Sequence, residues 1–278
     1  MRQRILVTGA SGFVGKHVVK LLSEMDVDII LLIRSGRESL FKNISNITRI
    51  VFTDDLFFES ENWLYEQCKE VDIIIHAAWY AEPGKYLQSN KNIDCLIGSI
   101  SLAKASIRAG IKKFVGIGTC FEYNFQNGFL SINTPLEPAS IYASSKASLF
   151  FSLFQLFKNH SIHFAWCRLF YLFGEGEDER RLVPYLRKKM ISGEVAELSS
   201  GNQIRDFSNV SDVAKKIVKV ALGNQNGPIN ICTGIPITIR QLAENIAGEY
   251  GKTELLKFGA RPDNLTDPPC VVGISNLT

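Results

Sequence analysis

The chain has 278 residues, 46% of them hydrophobic and 21% charged, an ordinary composition for a globular protein. That length allows one large domain or two unequal ones, with a sizeable core. Charge is nearly balanced, 31 basic residues against 28 acidic, which argues against disorder and against a broad nucleic-acid surface.

Met1–Val7 sets two arginines before an apolar run, but the run stops at Thr8-Gly9, too short for a signal-peptide core. Ile5–Val7 predicts a strand and Phe13–Glu24 a helix. Asp28–Ile33 and Ile50–Phe52 predict strands; Trp63–Lys69 predicts a helix and Val71–His76 a strand. Ile93–Ala109 is helical, Lys113–Ile117 a strand, Ile141–Lys158 helical and His163–Leu169 a strand. Strands that alternate with helices, and that run as continuous hydrophobics, imply a doubly wound parallel sheet covered on both faces, the Rossmann type of α/β fold. After Gly174 the texture changes. A charged loop, Glu175–Arg181, leads to helices at Leu182–Ser192, Val210–Leu222 and within Ile237–Tyr250. Residues 1–174 are therefore expected to form the cofactor domain. Residues 175–278 are expected to form a smaller C-terminal substrate lobe, interleaved with the first.

The six cysteines, Cys68, Cys95, Cys120, Cys167, Cys232 and Cys270, are scattered without a CxxC pair. No zinc ribbon or disulfide framework is expected, and reduced thiols in a cytoplasm are the simple reading. The apolar stretch Leu149–Phe157 is far below the ~20 residues of a membrane span. His160 and His163 fall at a helix end and a strand start with no further ligands, so no metal site is expected.

Gly9-Ala10-Ser11-Gly12-Phe13-Val14-Gly15 follows the first strand and opens the first helix in the pattern GxxGxxG. Glycines let backbone N–H groups approach a pyrophosphate, and the helix N-terminus favours its charge. An acid at the tip of the second strand would bind ribose hydroxyls. Here the strand ends Ile33-Arg34-Ser35-Gly36-Arg37. Arg34 and Ser35, with Arg37, suit a 2′-phosphate, so the cofactor reading is NADPH. Asp55 and Leu56, after the third strand, are candidates for the adenine contact. Tyr142 and Lys146, four apart, share one helix face at its start. A nearby ammonium favours the phenolate and tunes the phenol toward acid–base work. Thr119 stands at a strand end, at the carboxyl edge of the sheet where such folds bind ligands.

These motifs together resemble the extended short-chain dehydrogenase/reductase family, in its epimerase/dehydratase branch. The resemblance rests on the TGASGFVG cradle, His76-Ala77-Ala78-Trp79, Thr119 four before Tyr123, Tyr142 with Lys146, Arg168–Gly174, Leu182-Val183-Pro184 and Gln203–Ala214. It spans about residues 1–265, with the motifs in family order. It implies that Thr119 binds a sugar carbonyl and that Tyr142 exchanges a proton with that oxygen. Lys146 would hold the nicotinamide ribose and depress the Tyr142 pKa. Ala77 and Ala78 would line the cofactor cleft, and Arg205 and Arg261 would grip a substrate diphosphate.

Departures narrow the reaction. The family's 4,6-dehydratases carry Asp-Glu directly after the hydroxyl residue; here Cys120 and Phe121 stand there, which argues against dehydration. Cys120 is read as an inert neighbour of the substrate. Tyr171 replaces an Asn common in the epimerases, and Glu175 replaces a Pro. Gly118–Tyr123 resembles the 4-ketoreductases of dTDP- and CDP-linked 4-keto-6-deoxyhexoses, enzymes that feed surface-polysaccharide (O-antigen) synthesis. The expectation is an NADPH-dependent 4-ketoreductase. An NAD-retaining 4-epimerase and a non-catalytic NADPH sensor are the alternatives. The apolar wrap of Leu149–Phe157 predicts two packing partners, the sheet and a second subunit of a homodimer.

Overall fold

The computed structural model describes residues 2–264 and 266–277. Strand β1 (Gln3–Thr8) leads through helix α1 (Phe13–Leu22) to β2 (Val27–Ile33) and β3 (Ile47–Phe52). Helix α2 (Glu61–Cys68), β4 (Ile73–His76), α3 (Lys91–Ala109), β5 (Lys113–Thr119) and β6 (Phe129–Leu130) follow. Next come α4 (Ile141–Asn159), β7 (His163–Leu169), β8 (Tyr171–Phe173), α5 (Leu182–Ser192), β9 (Ala196–Glu197), β10 (Ile204–Arg205) and β11 (Phe207–Asn209). The last elements are α6 (Val210–Leu222), β12 (Gly227–Ile231), β13 (Ile237–Thr238), α7 (Ile239–Glu249), β14 (Leu256–Lys257) and β15 (Cys270–Gly273).

Seven strands form one parallel sheet in the order β12-β7-β5-β4-β1-β2-β3. Alternate strand residues point to opposite faces. Ile5, Val7, Ile29 and Leu31 pack with Val18 and Val19 of α1 and Ile217 of α6. Leu6, Ile30, Leu32 and Ile74 pack with Leu64 of α2, Leu102 of α3 and Leu149 and Phe157 of α4. Two cores thus sandwich the sheet, as the doubly wound reading requires. The order reverses between β1 and β4, and the crevice outside their carboxyl ends is where this architecture binds ligands.

A third core, Val183, Leu186, Met190, Leu242 and Ile246, joins α5 to α7 in a smaller C-terminal lobe. The chain crosses between the two layers. Helix α6 packs on α1, and β12 extends the main sheet beside β7. Residues 210–231 therefore belong to the sheet layer although they follow Gly174. Helix starts are capped by side chains: Ser140 accepts from the Ala143 N–H at α4, and Thr238 and Gln241 form a capping box at α7. Among the described residues no helix is long and apolar enough to cross a membrane.

Candidate active site

The cradle closes where β1 gives way to α1. Gly9 takes φ +67°, and a Cβ there would lie 2.5 Å from the Ala78 nitrogen and 2.6 Å from the Ala77 carbonyl carbon. Only glycine allows this approach of the first turn to the segment after β4. A Cβ on Gly15 would strike the Gly9 carbonyl oxygen. Gly12, extended at φ −78°, caps α1 without a side chain, and no acid sits in the first helical turn. The first N–H groups of that turn, those of Phe13 and Val14 included, have no intrahelical acceptor and could take an anion. Ser11 stands beside them in the turn. The loop after Gly174 crosses this mouth: His17 Nε2 is 2.9 Å from the Glu175 carbonyl oxygen.

Arg34, Ser35 and Arg37 are exposed at the end of β2, and neither arginine makes an ion pair among the described residues. Asp55 accepts from the Phe57 N–H and caps a short turn in which Leu56 is buried. These residues fit a nicotinamide dinucleotide laid across the switch point.

His76 is a packing residue. It bridges Thr8 Oγ1 at 2.7 Å and Ser99 Oγ at 2.8 Å. Ser99 donates its proton to the Cys95 carbonyl, so it accepts from Nε2–H, leaving Nδ1 to accept from Thr8. Burial, and then the Lys146 charge, push His76 down to about 3, in keeping with a neutral ring.

Thr119, Tyr142 and Lys146 come together at the carboxyl edge of the sheet. Thr119 ends β5, and its hydroxyl accepts from the Phe121 N–H at 3.2 Å. The Tyr142 N–H donates to the Leu87 carbonyl at 3.0 Å, and its ring meets Tyr86 edge-on at 4.8 Å. Burial holds the Tyr142 phenol well above its ordinary value and Tyr86 adds to this, while a hydrogen bond with the Thr119 side chain opposes it. The site therefore presents a protonated phenol, a proton donor. Lys146 Nζ donates to the Ile117 carbonyl at 2.7 Å and lies 3.7 Å from the Trp79 ring centre. Burial pushes Lys146 down to about 7 against the attraction of Glu122. Against the expected lowering, burial prevails and the Tyr142 phenol stays above its ordinary value.

Two participants lie inside the sequence motifs but carry no role of their own there. Trp79 stands beside the cleft alanines and was legible only as part of their run. Glu122 is fully buried and binds the Thr119 N–H at 2.8 Å and Arg168 Nε at 2.8 Å.

Beyond Thr119 the floor is apolar. Cys120 is buried, and desolvation pushes its thiol up to about 12, the inert state. Phe121 meets Tyr171 at 6.1 Å and Phe125 at 6.0 Å. Arg205 lies with its guanidinium 5.2 Å from the Tyr171 ring centre. It is buried rather than free: Nη2 pairs with Asp267 at 2.6 Å and Nη1 donates to its neighbour Ile204. Arg261 is exposed on the lobe, over the Tyr185 ring, and donates to that hydroxyl at 3.2 Å. The structure thus brings Arg205 to the aromatic side of the site and leaves Arg261 against α5. Among the described residues no group of three acidic, His or Cys side chains is arranged for a metal ion.

Fold and cradle define a dinucleotide-binding protein of the doubly wound class. Residues 5–232 match the NAD dependent epimerase/dehydratase family, and the chain belongs to that family. It is 24% identical over 273 residues to dTDP-6-deoxy-L-talose 4-dehydrogenase (NAD(+)) of Aggregatibacter actinomycetemcomitans, covering 97% of this chain and 98% of that one. It is 24% identical over 276 residues to CDP-abequose synthase of Salmonella typhimurium, covering 94% and 86%. The fold superposes with TM-score 0.88 on UDP-N-acetylglucosamine 4-epimerase of Methanobrevibacter ruminantium M1, at 23% identity over 99% of this chain and 91% of that one.

Proposed function

We propose that the chain is an NADPH-dependent 4-ketoreductase of a nucleotide-linked 4-keto-6-deoxyhexose. The carrying observation is that Tyr142 meets the Thr119 side chain at the carboxyl edge of the sheet, beside a floor of Cys120 and Phe121 that holds no acid–base pair for dehydration. That apolar floor suits a C6 methyl group. The Aggregatibacter relative, named for position 4 of a dTDP-linked 6-deoxyhexose, supports the same carbon and substrate class; its name specifies NAD(+).

The cofactor supplies the hydride when bound. Gly9, Ser11, Gly12, Phe13, Val14 and Gly15 hold its pyrophosphate, Arg34 and Ser35 its 2′-phosphate, Asp55 and Leu56 its adenine, and Ala77 and Ala78 wall the cleft. Thr119 donates a hydrogen bond to the sugar carbonyl. Tyr142 passes its proton to that oxygen as it becomes an alkoxide. Lys146 holds the nicotinamide ribose by its ammonium. Arg205 and Arg261 grip the diphosphate, which requires Arg205 to exchange its Asp267 partner. The product serves deoxysugar supply for a bacterial surface polysaccharide, made in the cytoplasm.

Absorbance of NADPH, followed with dTDP-, CDP- and GDP-linked 4-keto-6-deoxyhexoses, tests this. Turnover lowered about 10²–10⁴-fold by Tyr142→Phe is expected. No consumption with any of the three would overturn the reading. A 4-epimerase is the second reading, favoured by the epimerase likeness in fold. Stoichiometric NAD released on denaturation would select it.

Helices α3 and α4 pack on each other, so much of the apolar wrap of α4 is met within the chain. Ile93, Ile97 and Phe151 remain 45%, 59% and 57% exposed on these two helices. A homodimer through this face is our proposal; a monomer mass by light scattering at micromolar concentration would count against it.

A further inference from the structure

We propose that Glu122 is the positioning residue of the proton-transfer site. Its buried carboxylate fixes the Thr119 backbone and places a negative charge at the edge of the Trp166 indole, whose ring Lys146 also faces. The proposal rests on Thr119, Tyr142 and Lys146 being that site.

Glu122 closes a one-turn helix, Cys120–Glu122, directly after Thr119. Its carboxylate accepts from the Thr119 N–H at 2.8 Å, from Trp166 Nε1 at 3.0 and 3.1 Å, and from Arg168 Nε at 2.8 Å. Arg168 Nη1 donates to the Tyr123 hydroxyl at 3.0 Å, and Tyr123 donates to Asn230 at 2.7 Å. Asn230 is held in turn by the Leu130 and Ile274 carbonyls. The links are buried polar groups drawn from β5, β7 and β12, so the carboxylate has one position. A buried ion pair is no stronger than a well-packed apolar replacement, so stability alone does not account for it.

The geometry joins this pair to the lysine through one indole. Trp166 lies along β5 where Gly116 and Gly118 leave room; a Cβ on Gly118 would come within 2.5 Å of Glu122 Oε1 and would strike Trp166 Nε1. The same Trp166 ring has its centre 5.8 Å from Lys146 Nζ. Carboxylate and ammonium both meet this buried ring and form no direct ion pair among the described residues, in an interior where attraction is weakly screened. Lys146 also faces Cys95 from α3, His76 from β4 and Trp79. Glu122 is faced by Arg168 and Trp166 from β7, by Cys120 and Tyr123 beside it, and by Tyr142 from α4. Glu122 is the carboxylate that acts on Lys146, raising it against the effect of burial.

The test is Glu122→Gln, read by the pH profile of kcat/KM for ketone reduction. Reduction needs the Lys146 ammonium and the Tyr142 proton, and both are favoured by a nearby negative charge. The basic limb should therefore move down by about one pH unit, with about a tenfold loss of rate above it. Glu122→Asp keeps the charge and should restore the limb, with lower kcat because the Thr119 contact is lost. If Glu122→Gln fails to fold with Arg168 unpaired, the double replacement Glu122→Gln with Arg168→Met removes both charges and should shift the limb in the same direction by less, because loss of the Arg168 cation opposes loss of the carboxylate. A second readout needs no substrate. The Nζ resonance of Lys146, assigned by its loss in Lys146→Met, should titrate at lower pH in the Glu122→Gln background. That readout decides the proposal even if no nucleotide sugar is turned over. Limb and Lys146 titration both unmoved in Glu122→Gln, or in the double variant where the single one does not fold, would overturn it.

Discussion

The Lys146 ammonium lies 3.7 Å from the centre of the Trp79 ring, closer than to any other aromatic side chain it faces. Trp79 is itself pinned, donating from Nε1 to Asn92 at 2.8 Å and meeting Phe57 edge-on at 6.3 Å. A cation held on a desolvated indole gains roughly 2 kcal/mol. The contact therefore offsets part of the burial that pulls Lys146 down to about 7.

Trp79→Leu removes this support for the charged form, so Lys146 should titrate about one unit lower or more. The ammonium population at neutral pH then falls. Ketone reduction should lose its basic limb at lower pH, with Trp79→Phe in between. A pH–rate profile of the three proteins, with circular dichroism to show an unchanged fold, checks the order.

His76 predicts an acid lability. Its pKa drops from 6.5 to about 3 on folding, so between these values the unfolded chain binds a proton that the folded chain does not. Stability therefore rises with pH across that window. It is complete above about 6.5, declines as pH falls below it, and levels off near 3. The full loss is on the order of several kcal/mol. His76→Gln keeps a polar bridge between Thr8 and Ser99 without the titration. Urea denaturation at intervals from neutral to acid pH should show a shallower decline for this variant. Parallel curves would rule out His76 as the source.

Gly9 and Gly36 both have positive φ, +67° and +79°, but only Gly9 is crowded; nothing lies within 4 Å of a Cβ on Gly36. An alanine at Gly36 meets only the left-handed backbone penalty, about 1–2 kcal/mol. At Gly9 it must also push the turn off Ala77 and Ala78. Gly9→Ala should weaken dinucleotide binding by tenfold or more, and Gly36→Ala by much less. Quenching of intrinsic fluorescence by the reduced dinucleotide reads the difference.

The long elements were legible because their signal is local. Helix α4 is expected from Ile141 to Lys158 and runs to Asn159; β7 spans His163–Leu169 as expected. Strand β12 was not legible. Its five residues, Gly-Pro-Ile-Asn-Ile, open with two strand breakers, and only its place at the sheet edge beside β7 makes Pro228 acceptable. The two-residue strands of the lobe exist only through distant partners, as Ile204 pairs with both Thr238 and Cys270. In the site, Thr119, Tyr142 and Lys146 followed from spacing and strand ends. The Glu122–Arg168 pair spans 46 residues and has no pattern to find. Arg205 was found by its motif, but its burial against Asp267 depends on how the lobe folds around β10.

Cofactor choice turns on the end of β2. After Ile33 the chain presents Arg34, Ser35 and Arg37 to solvent, with no acid at the strand tip to take ribose hydroxyls. An arginine fork binds a phosphate by paired, charge-assisted hydrogen bonds. Arg34→Ala should therefore weaken NADPH about tenfold or more, equivalent to roughly 1.4 kcal/mol, and leave NADH nearly unchanged. The NADPH affinity of the unaltered chain should also fall with added salt more steeply than its NADH affinity, because the extra contact is exposed and screened. Equal losses for both dinucleotides on Arg34→Ala would show that Arg34 supports the loop rather than reading the 2′-phosphate, and a preference for NADH in the unaltered chain would reassign the cofactor to NAD.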